Sequence, residues 1–169
     1  MRDSNYVLRY LPLYRAALTD EWETAEAIFK EDPDTDTTMI TFWGETTLHM
    51  AVTANNSDVF VDKLVNRITI KDITKLSTAD HNTNISLHYA ATVGNTKAAK
   101  ALVEKDHEMP LIANRYGHTA VKLAASFGRG DVGVPIGSHL QCRRRGCDES
   151  LLRCSRGRPH HTYYHCWIL

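Results

Sequence analysis

The sequence predicts an all-α solenoid of about three and a half stacked helix-turn-helix repeats, followed by an irregular tail. Three observations predict it. The stretch Gly44-Glu45-Thr46-Thr47-Leu48-His49-Met50-Ala51 recurs in altered form, as Leu13-Tyr14-Arg15-Ala16, Leu87-His88-Tyr89-Ala90 and Val121-Lys122-Leu123-Ala124. The closing alanines lie 35, 39 and 34 residues apart. A unit of that length holds one helix pair, too small to bury its own apolar face, so neighbours must stack. Third, the pattern ends abruptly at Gly128, where the composition also changes.

In the first repeat Leu11, Leu13, Ala16 and Ala17 mark one apolar face, with Pro12 expected in the first helical turn, where proline costs nothing. Trp22, Ala25, Ile28 and Phe29 follow at helical spacing, and Asp32-Pro33 stops that helix. In the second repeat Gly44 suits a turn of positive φ, and Thr46 suits the start of the inner helix. Leu48, Ala51 and Val52 form its inner face, and Val59, Val61, Leu64 and Val65 lead the outer helix. An insertion through Ile68 to Thr78 accounts for the spacing of 39.

The third repeat departs twice from the second. Thr83 replaces the turn glycine, which costs about 1 kcal/mol for a β-branched residue at positive φ, and Ile85 replaces the capping threonine at about the same cost. Ala98, Ala101, Leu102 and Val103 then supply an outer-helix core face. The fourth repeat begins well at Asn114 to Gly128, but Gly130, Gly133, Pro135 and Gly137 fall where its outer helix belongs. Their propensity cost is about 5 kcal/mol. The sequence therefore predicts a half repeat, with Leu102 and Val103 left uncovered and residues 115–128 fraying.

Thr-x-Leu-His-x-Ala at this period resembles the ankyrin repeat, over roughly residues 8–128. The run Tyr10-Leu11-Pro12-Leu13-Tyr14-Arg15-Ala16-Ala17-Leu18 is similar to the opening repeat of plant ankyrin proteins that end in a membrane domain. That resemblance implies repeats at about 8–34, 42–66, 80–105 and 115–128, within residues 1–128, and a separate tail at 129–169. It also implies a protein–protein interaction module in plant defence or stress signalling, truncated or frame-altered after Gly128 and lacking its relatives' membrane anchor.

Formal net charge is zero, which gives no global argument for nucleic acid. The charge is divided, however: residues 1–128 hold thirteen Lys and Arg against seventeen acids, and residues 129–169 hold seven Arg against three acids. No signal peptide and no apolar run of spanning length is present, so the expectation is a soluble, cytoplasmic protein. The tail carries Cys142, Cys147, Cys154, Cys166, His160, His161 and His165, but the cysteines lack the Cys-x-x-Cys spacing of a zinc knuckle. Its Arg143-Arg144-Arg145 run lacks interleaved aromatics. A metal- or nucleic-acid-binding regulator acting through this tail is the alternative function, and a truncated product without function of its own is another.

No catalytic residues, cofactor, metal or small-molecule substrate are expected, because no Ser/His/acid motif and no phosphate-binding glycine loop occurs. His49 and His88 share one repeat position, and the resemblance makes them structural. It further places partner contacts on a concave surface of hairpin tips and inner helices. Its tip positions are Phe42, Trp43 and Glu45, then His81, Asn82 and Asn84, then Arg115, Tyr116 and His118. The inner-helix positions are Thr53, Ala54, Thr92, Val93, Ser126 and Phe127. Aromatic and Arg side chains anchor interfaces most strongly, which ranks Phe42-Trp43 and Arg115-Tyr116 first. Trp43 could instead pack against the neighbouring hairpin.

Overall fold

The computed structural model describes residues 4–54, 58–69 and 83–145. Eight α-helices occupy them: α1 (Ser4–Thr19), α2 (Trp22–Glu31), α3 (Thr47–Ala54), α4 (Asp58–Arg67), α5 (Ser86–Val93), α6 (Thr96–Lys105), α7 (Ala120–Ser126) and α8 (Gly130–Arg145). Short 3-10 turns at Pro33–Asp36 and Met109–Leu111 follow α2 and α6. Successive pairs close as hairpins, with α1, α3, α5 and α7 stacked as an inner layer and α4, α6 and α8 as an outer one. Trp22 joins α2 to that outer layer, its ring meeting Phe60 edge-on at 5.3 Å.

The core repeats with the sequence. Ala16, Ala51, Ala90 and Ala124 are all buried, as are Leu13, Leu48 and Leu87. Small alanines at one register let adjacent inner helices approach closely, while the leucines fill the space between layers. Phe60, which the apolar spacing of α4 did not single out, is buried in the core, whereas its neighbour Val59 is exposed.

Three of the inner helices, α1, α5 and α7, also end alike. Asp20, Gly94 and Gly128 have φ of 65, 90 and 67°, four residues after their respective alanines. The next N–H then returns to the alanine carbonyl: Glu21 to Ala16 at 3.0 Å, Asn95 to Ala90 at 3.0 Å and Arg129 to Ala124 at 2.7 Å. This is the left-handed C-terminal cap, which satisfies carbonyls that a helix end leaves open. Glycine adopts it freely. Asp20 tolerates it less well.

Two expectations are corrected. Pro12 lies inside α1, because the helix runs back to Ser4 rather than beginning beside the proline. Tyr10, on the far side of Pro12, packs against the core and holds the extra turns in place. The larger correction concerns the residues after Gly128. An outer helix does form at Gly130–Arg145, and Val132 and Ile136 are wholly buried in the common core. It packs against α6, α7 and the Met109–Leu111 turn, so Leu102 and Val103 are covered completely. Burying Val132 and Ile136 supplies about 1.5–3 kcal/mol each, which offsets the propensity cost of the glycines and Pro135. Tertiary packing overrides local preference here.

Candidate partner-binding surface

The tips before α3 and α7 are short loops closed by their own bonds. Before α3, Met39 bridges Thr46, and Ile40 donates to the Glu45 carbonyl at 2.7 Å across Gly44, whose φ is 89°. Before α7, Ala113 bridges Thr119 across Gly117, with φ of 70°. Buried Asn114 ties that second tip together, its Oδ1 accepting the Tyr116 and His118 N–H groups at 3.0 Å each. Its Nδ2 donates to Asn84 Oδ1 at 2.9 Å, linking two successive tips.

The repeated histidines fix tips to helices. His49 Nδ1 accepts the Thr46 N–H at 3.2 Å, and His88 Nδ1 accepts the Ile85 N–H at 3.1 Å. With Nδ1 an acceptor, each neutral ring carries its proton on Nε2. His49 Nε2 then donates to the Asn84 carbonyl at 3.1 Å, and His88 Nε2 to the His118 carbonyl at 3.0 Å. Both rings are buried and both reach the next repeat. At Ile85 the ring satisfies one open donor where a threonine side chain is missing. Thr83 adopts φ of 56°, the strained geometry expected at a position where the other tips have glycine.

The tips present aromatic side chains. Phe42 is 52% exposed, Trp43 64% and Tyr116 62%. Phe42 and Trp43 meet edge-on with centroids 5.6 Å apart, and the Arg115 guanidinium lies 5.6 Å from the Tyr116 ring centroid. Trp43 thus keeps most of its surface accessible. Phe42, Trp43 and Ile40 line a cavity of about 220 Å³ together with Leu11 and Tyr14 of α1.

Glu45 belongs to the same cavity and is half-buried. The Tyr89 hydroxyl donates to its Oε1 at 2.9 Å, and the Thr41 hydroxyl to its Oε2 at 2.9 Å. Tyr89 stands edge-on to His49 at 5.1 Å and so bridges the third repeat to the second tip. Sequence reasoning missed it. Tyr89 lies three and four residues before Thr92 and Val93, on the same helical face, and that spacing was the available signal.

Among the inner-helix positions, Thr53, Thr92 and Ser126 turn their hydroxyls onto the helix backbone. They donate to the His49, Tyr89 and Lys122 carbonyls at 2.7, 2.9 and 2.9 Å. Ala54 and Val93 are half-buried, while Phe127 is 59% exposed. The structure brings Glu45 beside Phe42 and Trp43, and Asn84 beside the fourth-repeat tip. Phe127 stands exposed at the end of α7. His81, Asn82, Cys147, Cys154, Cys166 and the tail histidines lie outside the described residues. Among the described residues no cluster of three His, Cys, Asp or Glu side chains could hold a metal ion.

A family model described as ankyrin repeats (three copies) matches residues 13–109, more than half of the 169 residues. No curated protein matches the chain significantly.

Proposed function

The chain belongs to the ankyrin-repeat family, and from that premise we propose that it binds a protein partner on the face made by its hairpin tips and inner helices. Ankyrin repeats are in general protein–protein interaction modules and typically non-enzymatic. The observation that carries the reading is the exposure of Phe42, Trp43 and Tyr116 on tips closed by internal bonds. Exposed aromatics on an ordered scaffold lose little side-chain entropy on binding and exclude much water. Capture of partners from an extract by the immobilised full chain, compared with a Trp43→Ala/Tyr116→Ala variant of equal melting temperature, tests it. Capture should fall at least tenfold in the variant. Equal capture would overturn the reading.

The opening repeat supports a finer assignment, a plant protein acting in defence or stress signalling from the cytoplasm. No helix among the described residues is long and apolar enough to cross a membrane. The identities of the captured partners test this assignment, and a set without any signalling component would overturn it.

A further inference from the structure

The cavity between α1 and the second tip combines aromatic walls with a negative charge. Tyr14, Phe42 and Trp43 line it, and the Glu45 carboxylate stands among them. That carboxylate accepts two neutral hydroxyls, yet it forms no ion pair with any Lys or Arg among the described residues. An ionised carboxylate offers about four acceptor sites, so capacity remains for a further donor. Thr41 and Tyr89 hold it in place, and the Thr41 hydroxyl is itself bound to the Glu45 N–H at 3.0 Å. The charge is thus oriented before any ligand arrives.

We propose that this cavity takes the cationic side chain, lysine or arginine, of an extended segment of the protein partner. The inference rests on the partner-binding reading above and names what one part of that face recognises. The aliphatic stem of such a side chain packs between Leu11 and Ile40, while its cationic head meets aromatic faces and the Glu45 carboxylate together. A neutral polar side chain gains neither attraction. A simple apolar one would leave the carboxylate facing it partly desolvated, which is unfavourable.

The test uses the full-length 15N-labelled chain and three pentapeptides, Gly-Ser-X-Ser-Gly, in which X is arginine, lysine or neutral citrulline. The readout is the indole N–H resonance of Trp43. Both cationic peptides should shift it saturably, with citrulline weaker by about three- to tenfold. The preference should shrink as ionic strength rises, a measurement that needs no variant. Glu45→Gln should remove the preference for cations, so that the three peptides bind within about twofold of one another. An equal response to all three peptides, or a Trp43 resonance that none of them moves, would overturn the proposal. If Glu45→Gln keeps full partner capture while the Trp43/Tyr116 double variant loses it, the cavity assignment fails and the partner-binding reading stands.

Discussion

At the scale of single residues, two histidines and one threonine carry opposite signs. His49 and His88 each supply an acceptor to a buried N–H and a donor to the following repeat, so removing one ring orphans polar groups in a water-poor site. Leaving such groups unpaired costs about 1–3 kcal/mol each. His88→Ala should therefore lower stability by about 2–4 kcal/mol, read as a shift of the urea midpoint. His88→Gln restores at most one of the two bonds. Thr83 is the reverse case, because its φ of 56° suits glycine. Thr83→Gly should raise stability by about 0.5–1 kcal/mol; the added freedom of the unfolded chain limits the gain. An unchanged or lower midpoint would show that the Thr83 side chain makes a compensating contact.

Among the elements, α8 decides how complete the stack is. Its Val132 and Ile136 replace the aliphatic contacts that Ala98 and Leu102 make in the preceding outer helix. Ile136→Ala should cost about 2–4 kcal/mol and speed amide exchange in Ala120–Ser126 relative to Ser86–Val93. Exchange in α7 that ignores the substitution would mean that α8 contributes little cover. This element was also the least legible in the sequence. Three glycines and a proline dominate any local estimate, whereas what forms the helix is the i, i+4 pair of Val132 and Ile136 meeting a face prepared by three earlier repeats. The start of α1 is illegible for the same reason, because Pro12 reads as terminal in the sequence while the packing of Tyr10 beyond it extends the helix. By contrast, the positions of α3 and α5, the burial of their leucines and alanines, and the positive φ of Thr83 followed directly from the repeat register. Within the proposed site, the exposure of Phe42, Trp43 and Tyr116 was legible from their tip positions. Tyr89 was not, because its contact with Glu45 spans two repeats and involves a residue type that the motif does not specify.

In the whole molecule, stability is a sum over neighbouring repeats, so cuts and clasps act at a distance. Deleting residues 129–169 would expose the surfaces of Leu102 and Val103 that α8 covers. The expected result is loss of several kcal/mol and increased binding of a hydrophobic dye, with far-ultraviolet dichroism changing only in proportion to the lost helix. An unaltered melting profile would refute it. A second clasp lies between the first two repeats. Arg67 donates from Nε to Asp36 at 3.2 Å and from Nη2 to the Phe29 carbonyl at 3.1 Å, with its guanidinium 5.2 Å from the Phe29 ring centroid. Because Arg67 combines a planar fork with ring stacking, lysine cannot replace it. Arg67→Lys should cost about 1–2 kcal/mol, measured by denaturant titration.

The two imidazoles point the same way along the stack, each gripping the loop that comes after it, and Lys122 occupies their place in the fourth repeat. A pull on the C-terminal end therefore meets fasteners in series: the grip on His118 loads before the grip on Asn84. Held between two handles, the molecule should give way storey by storey from that end, as a staircase of force rather than a single rupture.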